Sequence, residues 1–174
     1  MQMEKDIALA NAAEVGQAEA LRTLFEYDKV STSNYWAVVD FNKPSSEERL
    51  FIFNLREHTF RQFLVAHGKN SGEKYATVFS NEDGSNCSSL GIYKTLDTYD
   101  GKHGESLKIK GLQDTNSNAE DRYIVIHKAD YVVQDYNKTG RAGRSEGCFA
   151  VNPDYIDEVI GCLRNGSYLM AWHK

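Results

Sequence analysis

A mainly β (α+β) domain, with a helix at its start and another near its end, is predicted by three observations. From Tyr35 onward the apolar residues fall into short runs rich in Val, Ile, Phe, Tyr and Trp, separated by Gly, Ser and Asn, the texture of strands and turns. Before Tyr35 an Ala-rich stretch closes on Leu21, Leu24 and Phe25 at helical spacing. Near the end Ile156, Val159, Ile160 and Leu163 repeat at the same spacing. The 174 residues suffice for one domain with a real core and fall short of two ordinary ones.

The elements follow in order. Residues 6–27 read as one helix within an N-terminal helical segment, 1–34, that packs on a second unit, 35–174. Residues 35–40, 50–55 and 60–65 read as an antiparallel meander, with reversals at Pro44-Ser45-Ser46 and Asn54–His58. Residues 67–118 are rich in Gly, Ser and Asn, with short strands expected at Tyr75–Phe79, Gly91–Thr95 and Leu107–Ile109. Tyr123–His127 is an apolar run ending on histidine, which suits a central strand covered on both faces. After Cys148, Asn152 is placed to cap a helix and Pro153 to open it, and Gly166 ends it. Ser167–Trp172 reads as a closing strand.

Composition narrows the function. The 25 acids outnumber the 20 bases, for a net charge of −5. Duplex nucleic acid is an unsuitable partner for such a chain, because phosphate binding needs a concentrated basic face. Residues 102–144 nonetheless carry eight bases against six acids, which fits either a small anionic ligand or an ordinary solvated face. No apolar run is long enough for a membrane span. Met1–Ala10 carries Glu4, Lys5 and Asp6 and lacks the layout of a secretory signal. The expectation is a cytoplasmic protein if this start is native, and an envelope protein if the chain is a mature or trimmed form. Three cysteines, Cys87, Cys148 and Cys162, leave at least one thiol unpaired within the chain, and Cys87 with Cys162 is the pairing left open.

The strongest chemical signal is Gly143-Arg144-Ser145-Glu146-Gly147-Cys148, a cysteine on a polar glycine-bearing turn. Arg144 beside such a thiol favours thiolate, and Gly147 lets backbone N–H groups point at a substrate carbonyl. The alternative is a loop cysteine without a role. His127, at a strand end, is the natural base for Cys148; the alternative is a core histidine bonded to backbone. His67 and His103, each followed by Gly, match no metal-ligand spacing, so no metal is expected. His103 sits in the cationic stretch and is a better candidate for lining a pocket. No Gly-rich nucleotide motif is present, so no cofactor is expected.

With these residues in hand, the order Ser88-Ser89-Leu90-Gly91-Ile92-Tyr93, Ile126-His127, Ser145-Glu146-Gly147-Cys148, helix and closing strand resembles the L,D-transpeptidase (YkuD-type) catalytic domain. It is most similar to the murein L,D-transpeptidase branch, which carries stretches like Val65–Gly68 with Asn70–Gly72, Gly101–Gly104, Ile124–Val132 and Gly143–Cys148. The likeness runs from about Tyr35 to Trp172. Two positions depart from the family pattern: Glu146 stands where a second histidine is common, and Ala150 where Arg or Asn is usual. The resemblance implies a β-sandwich-like fold acting on peptidoglycan stem peptides. Cys148 would be the nucleophile, His127 the base, Gly147 and Cys148 N–H groups the oxyanion donors, and Ser145 the support of the turn. Arg144 and His103 are assigned to substrate carboxylates. The implied product is a 3→3 cross-link with release of D-Ala, and the implied site of action is the periplasm. An L,D-carboxypeptidase, a non-catalytic wall-binding module and a metal-dependent hydrolase using His67, His103 and His127 remain as alternatives.

Overall fold

A computed structural model describes residues 1–174. Two helices open the chain, α1 (Gln2–Glu14) and α2 (Ala18–Tyr27). The single helix expected over 6–27 is broken at Gly16, whose φ of +78° is left-handed and favours glycine. The break is anchored by buried Gln17, which donates from Nε2 to Asp40 at 2.7 Å and accepts from Trp172 Nε1 at 3.0 Å.

Three antiparallel strands follow, as the meander predicts: β1 (Tyr35–Asp40), β2 (Leu50–Asn54) and β3 (Thr59–Phe63). Then come β4 (Gly91–Gly101) and β5 (Gly104–Gly111), one long hairpin whose register shifts between Thr95 and Thr98. The chain continues through β6 (Val125–Lys128), α3 (Tyr131–Thr139), β7 (Phe149–Val151), α4 (Ile156–Leu163) and β8 (Tyr168–Trp172). All eight strands form one sheet in the order β3-β2-β1-β8-β4-β5-β6-β7. The last strand therefore lies mid-sheet, parallel to β1 and antiparallel to β4.

The sheet folds over on itself. Ala37 and Val39 of β1, Leu50 and Ile52 of β2, and Leu169 and Ala171 of β8 share a core with Leu107 and Ile109 of β5, Ile126 of β6, and Phe149 and Val151 of β7. The α4 stripe fills the same core. Alternate residues point the other way: Trp36, Val38, Phe51, Phe53 and Tyr168 meet α1 and α2, as a period of two demands when both faces are covered. Phe25 meets Trp36 edge-on at 4.9 Å, and Tyr168 stacks on Trp36 at 5.3 Å. The two ends of the sheet also touch. Val65, just past β3, bridges to Val151 of β7, and Ala66 N–H donates to Ala150 O at 2.9 Å.

Several local expectations are corrected. Tyr75–Phe79 is a loop and not a strand: the Thr77 and Val78 N–H groups both donate to Ser71 O, at 2.8 and 3.0 Å, so no edge is free for ladder pairing. The apolar run from Tyr123 contributes a strand only from Val125, because Tyr123 takes a φ of +56°. That strand is buried but stands next to the sheet's last strand, not at its centre. Helix α3 lies in a stretch for which no helix is predicted, and its carboxyl end turns on Gly140 at φ +74°. Asn152 accepts from the Asp154 N–H at 2.8 Å, an Asx turn that delays α4 to Ile156. No helix is long and apolar enough to cross a membrane.

Candidate active site

The parallel pairing of β6 with β7 sets the site. Ile126 lies opposite Phe149 and His127 opposite Ala150, so Cys148, at the entrance to β7, comes level with Val125, two residues before His127. Val125 and His127 share a strand face by the period of two. Both line a cleft of about 680 Å³ with Cys148.

The turn that carries the thiol is tightly specified. Ser145 Oγ accepts from the Gly147 N–H at 3.1 Å and donates to Cys148 O at 2.7 Å. The Ser145 N–H donates to His67 O, and Ser145 O accepts from the Lys69 N–H, strapping the turn to residues 67–69. Gly147 has φ +122°, and a Cβ there would sit 2.8 Å from Cys87 O. Any side chain there is strained and forces a neighbour to shift. Below the turn Arg122 makes four hydrogen bonds, to Ser80 O, Ser89 Oγ, Ser85 Oγ and Cys87 O. Ser88 Oγ accepts from the Gly68 N–H. The Ser88-Ser89 stretch is thus scaffold for the loop behind the thiol.

Cys148 Sγ donates to Tyr123 O at 3.3 Å and accepts from the Val125 N–H at 3.4 Å. Burial pushes the thiol pKa up, opposed by the Val125 N–H and by Arg122. The direction runs against the thiolate bias expected from Arg144, which is not among the groups that lower the thiol's pKa. Arg144 Nη1 is committed to Lys69 O at 3.0 Å and to the Glu73 carboxylate at 3.2 Å, although the side chain lines the cleft.

His127 Nδ1 lies 2.7 Å from Lys128 O. A carbonyl only accepts, so Nδ1 carries the proton and Nε2 is an acceptor. Burial lowers the His127 pKa, with His103 and Lys102 adding to it and the Lys128 carbonyl opposing. The ring is therefore neutral near pH 7 and able to act as a base. His103, from the β4–β5 turn, stacks on it with ring centres 4.1 Å apart and planes 10° from parallel.

The oxyanion expectation divides. The Gly147 N–H is occupied by Ser145 Oγ, whereas the Cys148 N–H has no acceptor within the protein. Sequence reasoning passed over further lining residues, among them Lys69, Tyr99, Arg122, Tyr123 and Tyr131. Burial raises the Tyr131 pKa, keeping its hydroxyl a donor. Its signal in the sequence is its place within the family-like stretch Ile124–Val132, which carries no role for it by itself. His67 is not part of the cleft. It is fully buried, accepting at Nδ1 from Arg49 at 2.8 Å and donating from Nε2 to Gly72 O and Glu73 O. With both nitrogens so engaged it is unsuited to a metal, and no three His, Cys, Asp or Glu side chains converge as a ligand set. All three cysteines are free thiols.

The L,D-transpeptidase catalytic domain family matches residues 11–172. No curated protein matches the chain. Among solved structures it is similar to an L,D-transpeptidase from Mycobacterium smegmatis, with 12% identity and a TM-score of 0.51 over 81% of this chain and 59% of that one. It is also similar to an LD transpeptidase solved in complex with imipenem, with 12% identity and a TM-score of 0.50 over 80% and 59% of the two chains. The chain spans less than two thirds of either relative's length, and at such identity the likeness is one of fold. A family match that begins inside α1 and ends on the last residue of β8 makes this chain a member of the L,D-transpeptidase catalytic domain family.

Proposed function

We propose that the chain is a cysteine L,D-transpeptidase that acts on peptidoglycan stem peptides. The observation that carries this reading is the shared cleft: a thiol and a neutral imidazole with Nε2 unprotonated, on adjacent strands, beside an unpaired N–H at Cys148. The Sγ proton passes to His127 Nε2, and Sγ attacks the carbonyl carbon of the bond between diaminopimelate and the following D-Ala. The Cys148 N–H holds the resulting oxyanion. The C–N bond breaks as His127 returns the proton to the departing D-Ala amine, leaving a thioester on Cys148. The side-chain amine of a second stem then attacks the thioester, His127 takes its proton, and the sulfur leaves as thiolate to be reprotonated. The product is a 3→3 cross-link.

The resting thiol is hydrogen-bonded to Tyr123 O and not to His127, so a rotation of the thiol toward Nε2 precedes attack. Apo sites of this kind commonly tighten only around substrate. Ser145 holds the turn, and the basic rim of the cleft, Lys69, Lys102 and Arg144, meets the carboxylates of the stem. That substrate sets the working compartment as the bacterial cell envelope.

Incubation with a purified tetrapeptide-stem muropeptide, followed by mass analysis, tests the reading. The expected products are a cross-linked dimer and free D-Ala, both lost in Cys148→Ala. A tripeptide with no dimer means that water and not an amine resolves the thioester, and the enzyme is an L,D-carboxypeptidase. The imipenem complex of the similar structure suggests a second assay, a carbapenem adduct on Cys148. Its absence, with no product of either kind, leaves a wall-binding module.

A further inference from the structure

His103 is the one aromatic ring stacked on His127, and it comes from a different element. It sits at the tip of the β4–β5 hairpin between Gly101 and Gly104, and β5 pairs directly with β6. The tip is placed by close contact: a Cβ on Gly101 would fall 2.8 Å from the Tyr99 ring, and Gly104 takes φ +86°. The His127 ring is thus held twice. Its edge is pinned through Nδ1 to Lys128 O, and its face is covered by the His103 ring at 4.1 Å.

From this geometry we infer that His103 is a positioning residue of the catalytic base: it fixes the plane of the His127 ring and ties the base's protonation to its own. The inference rests on the proposed role of His127 and extends it to a residue on another strand pair. Two parallel imidazoles at this separation share one proton well, since a cationic ring is attracted to a neutral aromatic face. They share two protons badly, since like charges about 4 Å apart repel. The imidazolium formed when Cys148 loses its proton therefore rests against a neutral ring, provided that His103 is neutral. His103 is half-exposed and His127 buried, so His103 takes the first proton on acidification, and that proton opposes the second.

The surrounding charges act on both rings. Lys102 stands on the hairpin, Lys69 and Glu146 across the cleft, Arg122 behind the thiol, and Tyr131 on α3. Lys69 and Glu146 face one another at 3.8 Å, and Arg122 is bound to the loop backbone. Lys102 is the cation that acts on both rings, and Glu146 acts on His103. The pair titrates as a coupled unit against that fixed background.

The test is a titration of the two rings in the whole chain by NMR of 13C-labelled histidine, in the unaltered protein and in His103→Phe and His103→Ala. His103→Phe keeps an aromatic face and removes the second titrating group. It is expected to move the His127 transition upward by about 0.7 in pH, the size that repulsion across ~4 Å gives at water-like dielectric. His103→Ala removes both face and charge. It is expected to lower kcat about tenfold or more, within the range general-base catalysis contributes, with KM changed less than twofold (about the noise of such assays). A His127 transition that stays in place in His103→Phe overturns the coupling. Equal kcat in His103→Ala overturns the positioning. If no variant, nor the unaltered protein, forms a thioester or adduct, the transpeptidase reading fails while the titration still reports on the pair.

Discussion

At the scale of single residues, the turn that bears Cys148 is set by conformations with little spare room. Gly147 combines a backbone angle closed to other residues with a neighbour, Cys87 O, too near for a methyl group. Gly147→Ala is expected to displace Cys148 without unfolding the chain. A strained position of this kind costs on the order of 1–3 kcal/mol, and a nucleophile misplaced by about 1 Å loses on the order of a hundredfold in rate. Carbapenem acylation followed by mass spectrometry checks this, with thermal unfolding alongside; acylation at the unaltered rate would show that the turn tolerates the shift. Ser145 supports the same turn through a single oxygen that both donates and accepts. That oxygen explains why the Gly147 N–H, expected at the oxyanion, is engaged elsewhere. Which of two adjacent N–H groups is free depends on one side-chain rotamer, and residue order carries no information on it.

At the scale of elements, what could be read from the residues was what hydrophobic periodicity controls. Strands β1, β2 and β8 are legible because both faces of each bury apolar residues, and β3 because Phe60 and Phe63 pack on that core. The α4 stripe of Ile156, Val159, Ile160 and Leu163 is legible for the same reason. Helix α3 was not, since only Val132 on it is buried and its polar remainder resembles a loop. Cys148, His127 and His103 stood out by type and order, but the stacking of His103 on His127 comes through a hairpin register that no local pattern encodes. Arg122 illustrates the same limit: its guanidinium gathers Ser80, Ser85, Cys87 and Ser89 across more than thirty residues of chain. Arg122→Lys replaces a planar fork by a single ammonium, which cannot satisfy these acceptors together. The 80–89 loop is then expected to open, read as faster cleavage after Glu82 by a glutamyl endopeptidase. Unchanged cleavage would mean that Ser88 and Asn70 hold the loop without it.

At the scale of the whole molecule, buried histidines connect the site to acid stability. His67 accepts from buried Arg49, so its protonation would set two cations 2.8 Å apart inside the core. Burial first, and then Arg49, lower its pKa to about 4. In the unfolded chain the same imidazole titrates near 6.5. Between pH 6.5 and 4 the unfolded state therefore binds the extra proton, and stability falls as pH falls through that window. His127 shifts in the same direction and steepens the loss. Each pH unit of such a difference corresponds to about 1.4 kcal/mol for one group. Urea unfolding at successive pH values should thus show stability level above about pH 7 and declining below it. His67→Asn keeps an acceptor toward Arg49 and removes the titration. It is expected to lower stability at pH 7 yet flatten the slope between pH 6.5 and 4. The same residue links this slope to catalysis, because His67 O receives the Ser145 N–H and its ring holds the backbone at Glu73, whose carboxylate binds Arg144. Acid that charges His67 loosens the turn bearing Cys148 from behind, while acid at the His103–His127 pair protonates the proposed base in front. Activity is therefore expected to disappear at a higher pH than the fold does, and an acid limb of activity that coincides with unfolding would show that the two histidine sites act as one.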